Sequence, residues 1–201
     1  MSFYSQKKAI KTFEITTDNI EISTKGLDNL TIENSPSNFV EITLFAASPL
    51  KQHIVTQENK GLLNINFNIE ELPSEKPIFR KYITERLQRA YAVIKIPIGK
   101  KVIFFGNSVN IESKSLESNL DIYIEKGILK LHTVKANSII KLFEGTVFAT
   151  LKNTNTAIVT RNGIITIDKK REQDNFYKNQ INSHNHFKVT SINANIYLTT
   201  Q

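Results

Sequence analysis

The sequence predicts an all-β protein built as a single-stranded β-solenoid, β-helix-like, with right-handed coils of about 18 residues. Three observations support this prediction: the recurrence of glycine, the recurrence of asparagine, and the alternation of apolar and polar residues. Glycine and asparagine each recur three times at intervals of 18 residues, at Gly127, Gly145 and Gly163 and at Asn119, Asn137 and Asn155. Apolar residues alternate with polar ones along most of the chain, which is typical of strands with one buried face. Residues that recur at a fixed interval favour stacked structural units.

Each repeat unit holds two short strands separated by a turn. Alignment of the units places Ile122, Ile140 and Ile158 in one column, and a second column holds Leu129, Val147 and Ile165. Because alternation puts these columns on one face, we expect them in the interior. The three glycines then mark turns, and the three asparagines mark the opposite corner of each coil, where stacked amides could hydrogen-bond. An antiparallel meander is the alternative, since Asn162–Gly163 is a hairpin signal.

The chain of 201 residues is long enough for one sizeable core. We interpret residues 1–201 as one domain, and its segments are early strands (1–69), a basic insertion or cap (70–91), regular coils (92–167), a polar insertion (168–186) and closing strands (187–201). The first strands read Phe13–Ile15, Ile20–Ile22, Leu30–Ile32, Val40–Leu44 and Leu63–Ile69. Turn residues such as Gly26, Pro36 and Pro49 separate them.

Residues 70–91 form a short helical or loop insertion in this interpretation. Phe79, Ile83, Leu87 and Tyr91 are spaced four apart and would line one helical face. The basic residues of this segment are Arg80, Lys81, Arg86 and Arg89. They would either remain solvated on a cap that covers the end of the β-structure, or contact an anionic membrane or nucleic acid.

Composition restricts the classes of function. The chain has no cysteine, which excludes disulfides, thiolate metal sites and a cysteine nucleophile. Its net charge is +7, and only residues 79–91 come near the concentrated charge with interleaved aromatic residues that nucleic-acid binding requires. No apolar run reaches the length of a membrane span. No signal peptide is visible at the start, so we expect a cytoplasmic location, with the periplasm or cell surface as the alternative.

Three features of the sequence resemble a known family. They are the early stretch Asn29-Leu30-Thr31-Ile32-Glu33, the strand ending Ile94-Lys95-Ile96-Pro97, and the run of Asn-x-x-Ile and x-Gly-x-(Val/Ile/Leu) units over 119–167. This pattern, over about residues 10–201, resembles the bacterial putative adhesins, the head-domain auto-transporter adhesin-like group of unknown function. The resemblance implies a β-solenoid and carries no catalytic residues.

The sequence predicts no catalytic, cofactor or metal site. His184 and His186 form a His-x-His pair, but the sequence identifies no third ligand for a metal ion. A carbohydrate-active enzyme is the alternative, with Asp121 or Glu125 as its carboxylates, yet no acidic residues align in a column. We therefore expect a non-enzymatic structural or binding module with a protein or carbohydrate partner.

Several apolar residues point outward in the aligned repeats. They are Tyr123, Ile139, Phe148 and Val159. Exposed apolar surface on a sheet indicates contact with another layer of the protein or with another subunit. A homo-oligomer is therefore one of the two expectations for this face.

Overall fold

The computed structural model describes residues 7–46, 49–69, 90–180 and 183–201. These residues contain sixteen strands and one 3-10 turn at Lys51–His53, and no α-helix occurs among them. The strands are β1 (Lys7–Glu14), β2 (Asn19–Ser23), β3 (Asn29–Ser35), β4 (Phe39–Ala46), β5 (Ile54–Asn59), β6 (Leu62–Phe67), β7 (Ala90–Pro97), β8 (Lys101–Ser108), β9 (Asn110–Ser113), β10 (Asn119–Val134), β11 (Ser138–Leu151), β12 (Thr154–Thr160), β13 (Ile165–Ile167), β14 (Lys170–Glu172), β15 (Asn175–Lys178) and β16 (Asn185–Thr200).

All sixteen strands belong to one mixed sheet, which curls into a nearly closed barrel shape. Three long strands, β10, β11 and β16, lie next to each other and are parallel. The first half of β10 pairs with β8 and its second half with β9. In the same way, the first half of β16 pairs with β12 and its second half with β13. Each of the strands β10 and β16 therefore pairs with two shorter strands along one edge, one for each half of its length.

The core is made by inward residues that meet in register across these strands. Ile122 lies between Phe104 and Ile140, and Ile140 is followed by Val189 on β16. All four side chains are fully buried. Since burying one such side chain contributes roughly 1.5–3 kcal/mol, a continuous row of them stabilises the sheet strongly. The predicted pairing of Ile122 with Ile140 is confirmed, and the row extends to Phe104 on β8.

The prediction of a single-stranded β-solenoid is wrong, and the position of β16 shows why. The C-terminal strand is inserted between β11 and β12, so the third repeat unit does not lie next to the second. Val189 separates Ile140 from Ile158, the residue predicted to be its direct neighbour. Equal spacing along the chain could not reveal this, because every one of these strands has the same inward-apolar pattern.

The antiparallel strand pairs also contradict the predicted solenoid, because stacked coils that wind in the same direction would place neighbouring strands parallel. Five pairs are antiparallel: β1 with β4, β4 with β7, β5 with β6, β12 with β15, and β13 with β14. In addition, β2 and β3 pair with β8 and β9, which follow them by about eighty positions in the sequence. The polar segment 168–186 contains β14 and β15, which pair with β13 and β12. Of the predicted insertion at 70–91, residues 70–89 lie outside the described part of the chain, and Ala90 begins β7.

Small residues occupy the middle of the long strands. Gly127, Gly145 and Ala194 are aligned in register. A Cβ atom added at Gly127 would lie 1.8 Å from the carbonyl oxygen of Val109, and one added at Gly145 would lie 1.9 Å from that of Gly127. The strands therefore approach each other closely at these positions because the side chains are missing.

We expect Gly127→Ala to lower the free energy of unfolding by about 3 kcal/mol, because the new methyl group displaces backbone rather than a flexible side chain. Gly61→Ala is the matched control, since it has a φ of +76° but no atom within 4 Å of the added Cβ. Its cost should reflect the left-handed backbone alone, about 1–2 kcal/mol. Urea unfolding followed by circular dichroism measures both. A loss of less than about 1 kcal/mol in Gly127→Ala would contradict the close-contact explanation.

Candidate functional site: an aromatic and basic groove

The candidate site is an open groove of about 460 Å³ on the outer face of the sheet. We call it the groove, and its main side chains are Lys130, His132, Phe148, Thr150, Lys169 and Tyr197. It lies across the second halves of β10, β11 and β16 and reaches β13. The apolar side chains of the same strands point inward, so the alternation of the strands directs this polar and aromatic set toward solvent.

Strand register builds the wall of the groove. Lys130, Phe148, Tyr197 and Thr166 are direct neighbours on four successive strands. The rings of Phe148 and Tyr197 are stacked, with centroids 5.2 Å apart and planes 15° apart. Their side chains are nevertheless 42% and 37% exposed. The pair is therefore rigidly spaced by the sheet and still offers its edges and outer faces to a ligand.

The ends of the groove carry positive charge. Six other lysines of the described chain form ion pairs, for example Lys126 with Glu144 at 3.0 Å. Lys130 and Lys169, in contrast, make no ion pair with any described residue. Nε2 of His132 lies 2.7 Å from Oε1 of Glu112, so this side chain already has a polar partner. Within the groove, these two lysines are the cations that remain available to a ligand.

A tight hairpin turn holds Lys169 at the groove. Asp168 and Lys169 connect β13 to β14, and both have positive φ, 49° and 68°. Positive φ at both central residues defines a type I′ turn, which fits the twist of a two-residue hairpin. The carboxylate of Asp168 accepts hydrogen bonds from the backbone N–H of Thr200 at 2.8 Å and from its hydroxyl at 2.6 Å. These bonds fix the turn against the end of β16.

The same hydrogen bonds make this contact dependent on pH. They favour the ionised form of Asp168 and hold its pKa below the ordinary value of 3.8. A lowered pKa in the folded state contributes stability that is present above pH 3.8 and is lost as pH falls through the folded-state value. We expect Asp168→Asn to lower the melting temperature at pH 7 and to have a smaller effect at pH 3. A difference that stays constant between these pH values in thermal unfolding would contradict the assignment.

The predicted asparagines act through their side-chain carbonyls. Asn119 accepts from the backbone N–H of Asn137 at 3.2 Å, and Asn137 accepts from that of His186 at 2.9 Å. Asn155 accepts from the N–H of Gln180 at 2.8 Å. Thus each amide satisfies the backbone of a neighbouring segment, whereas the sequence predicted amides stacked on each other.

The predicted glycines lie away from the groove. Gly127 and Gly145 lie within the continuous strands β10 and β11. Gly163 precedes β13, and a Cβ atom there would lie 1.8 Å from the carbonyl oxygen of Ala194. The four basic residues predicted to contact an anionic partner, Arg80, Lys81, Arg86 and Arg89, lie outside the described residues. Their role remains a prediction, to be tested as salt-sensitive binding to anionic vesicles or DNA.

The apolar residues that were predicted to point outward lie in different parts of the outer face. Phe148 lies in the groove, and Ile139 is exposed on the first half of β11. Tyr123 and Val159 are half-buried. The ring of Tyr123 stacks on Phe105 at 5.3 Å, and the Lys141 ammonium lies 5.5 Å from its centroid. The outer face therefore has a second aromatic pair, in which Phe105 is 42% exposed and Tyr123 is half-buried.

The candidate catalytic and metal residues do not assemble into a centre. Asp121 is only 7% exposed and contacts Lys101 at 3.3 Å. Its neighbours in register are Ile103 and Ile139, so no second carboxylate faces it across the strands. Within the described ranges, no three potential ligands lie together, and His184 and His186 gain no third ligand. This arrangement does not provide the paired carboxylates that glycoside hydrolysis needs.

Sequence reasoning missed Tyr197 for an identifiable reason. The 18-residue interval placed Thr166 directly beside Phe148, whereas β16 brings Tyr197 between them. Lys169 was missed as well, because Asp168-Lys169 lacks the Asn-Gly or Asp-Gly signature of a type I′ turn. The signal that was present is alternation in Ile196-Tyr197-Leu198, which points Tyr197 outward.

The fold and the groove define an all-β protein with a barrel-shaped mixed sheet and a recessed aromatic and basic groove on its outer face. No match is found in a scan against models of protein families or in a search of curated proteins. Among solved structures, a "putative cell adhesion protein" from Clostridium sporogenes ATCC 15579 matches with a TM-score of 0.67 and 12% identity, over 98% of this chain and 100% of that one. The identity is low, so this match shows a shared fold alone.

A second solved structure is more distant. It is a "putative adhesin" from Bacteroides fragilis NCTC 9343, with a TM-score of 0.39 and 12% identity over 97% of this chain and 98% of that one. That score is too low to support an argument about the fold. In the described part of the chain, no helix has the length and apolar character needed to cross a membrane.

Proposed function

We propose that this chain is a non-enzymatic binding module of the adhesin type and that the groove is its ligand site. The observation that carries the proposal is the exposed, stacked pair of Phe148 and Tyr197 between two lysines that have no described ion-pair partner. Aromatic residues that stay exposed on a rigid sheet are typical anchors of recognition surfaces. The function of adhesion is further supported by the shared fold with the clostridial protein.

We also propose that the chain belongs to the head-domain auto-transporter adhesin-like group and meets its ligand at the cell surface. The sequence features at 29–33, 94–97 and 119–167 support the family, and an adhesive role requires access to ligands outside the cell. Antibody labelling of intact cells that express the native gene tests the location. Labelling only after the cells are permeabilised would contradict it.

Adhesion of coated beads tests the binding function without assuming a ligand. Beads that carry the full chain are incubated with a panel of bacterial and epithelial cells, and bound beads are counted. We expect adhesion to at least one cell type and a loss of about tenfold or more in the double variant Phe148→Ser/Tyr197→Ser, because both anchors are removed. Phe143→Ser is the matched control, since this ring is 52% exposed and does not line the groove. Absent adhesion, or equal adhesion of the groove variant, would contradict the proposal.

A further inference from the structure

We propose that the groove binds a linear acidic polysaccharide whose chain crosses β10, β11, β16 and β13, with carboxylates at Lys130 and Lys169. This inference rests on the proposed function and specifies its ligand class. It combines three properties of the groove: separated positive charges, an aromatic wall, and hydroxyl groups on a floor whose backbone is already paired.

The spacing of the lysines fits a ligand with well-separated negative charges. Lys130 is on β10, and Lys169 follows β13, three strands away. With adjacent strands about 4.8 Å apart, these positions are about 14 Å apart across the sheet. A nucleic acid places charge much more densely, about one phosphate per 3.4 Å of each strand in a duplex. Two cations over this distance match carboxylates that are separated by neutral parts of sugar units.

The aromatic wall and the hydroxyls fit the surface of a sugar. Aromatic faces carry partial negative charge and their edges partial positive charge. The outer faces of Phe148 and Tyr197 can therefore accept the C–H groups of a pyranose ring, while their edges attract its oxygens. The hydroxyls of Thr150, Thr166 and Thr199 line the same groove and can donate to or accept from ring hydroxyls.

The backbone under the groove disfavours a peptide ligand. An extended peptide gains affinity by adding to the free edge of a sheet. Here the floor is formed by β11 and β16, and each of them is paired with strands on both sides. Because the main-chain groups are satisfied within the sheet, a ligand in the groove depends on its own polar groups and on ring contacts. A polysaccharide meets that requirement.

Calorimetric titration of the full chain tests the ligand class. The probes are hyaluronan and unsulfated chondroitin as acidic polysaccharides with a carboxylate on alternate sugars, dextran as a neutral one, and polyglutamate and single-stranded DNA as other polyanions. We expect binding to at least one acidic polysaccharide and at least tenfold weaker binding to the other three probes. Lys130→Gln/Lys169→Gln should weaken that binding at least tenfold and reduce its dependence on salt.

A matched variant separates the groove from net charge. Lys152→Gln/Lys188→Gln removes the same charge from exposed lysines outside the groove and should leave binding unchanged within about twofold. Equal loss in both double variants, or equal affinity for polyglutamate or DNA, would overturn the inference. If no acidic polysaccharide binds while bead adhesion still depends on Phe148 and Tyr197, the ligand class is wrong and the binding function stands. If bead adhesion fails too, the proposed function is itself wrong.

Discussion

Replacement of Ile140 by Asp is expected to abolish folding. The Ile140 side chain is fully buried between Ile122 and Val189, where a carboxylate would have no partner. Burial of an unpaired charge costs several kcal/mol or more, and the lost apolar contact adds roughly 1.5–3 kcal/mol. Since small proteins are stable by only about 5–15 kcal/mol, the variant should lose its cooperative thermal transition in circular dichroism and elute as aggregate or unfolded chain.

Ile139→Asp provides the control for the Ile140 substitution. Ile139 is the preceding residue of the same strand, faces outward and is 36% exposed. A charge there meets Asp121 on one neighbouring strand and Lys188 on the other, so repulsion and attraction oppose each other. We expect a change within about 1 kcal/mol. A cooperative Ile140→Asp variant with wild-type stability would show that this row does not form the core.

Alternation in the sequence was sufficient to predict which side chains point inward. Phe104, Ile122 and Ile140 are spaced 18 residues apart and are true neighbours, because β8, β10 and β11 follow one another in both sequence and space. The prediction failed for Ile158, although its side chain is also fully buried. Inward-facing apolar residues determine the face of a strand, whereas the order of strands depends on which edges meet during folding. The order of the strands therefore cannot be predicted from the repeat unit alone.

For the groove, too, the direction of a side chain could be predicted from the sequence, whereas its neighbours on other strands could not. Phe148 could be predicted as an outward residue from its own strand, but its partner Tyr197 is supplied by β16 from 49 positions away. Lys169 is held at the groove by the turn after β13, which Asp168 fixes to Thr200 through a contact between segments separated by 32 residues. A site assembled from three non-consecutive segments has no contiguous sequence motif. For this reason, the chemistry of each residue could be read from the sequence but their proximity could not.

Removal of β16 is expected to unfold the described sheet. Its inward residues include Phe187, Val189, Ile196 and Leu198, which are all buried. Their burial contributes roughly 6–12 kcal/mol, which is comparable with the total stability of a small protein. The strand also pairs with β11 along its whole length and with both β12 and β13. A chain that ends at residue 182 should therefore lack a cooperative thermal transition.

A synthetic peptide of residues 183–201 is expected to restore that transition when it is added to the shortened chain. The gap between β11 and β12 offers unpaired backbone on two sides, and the peptide supplies both the hydrogen bonds and the apolar residues that fill it. The control peptide carries Val189→Asp and Ile196→Asp, which place charges at two fully buried positions. It should not restore folding, because those charges would be buried without a partner. A shortened chain that melts like the full chain, or rescue by the control peptide, would show that insertion of β16 between β11 and β12 does not hold the sheet together.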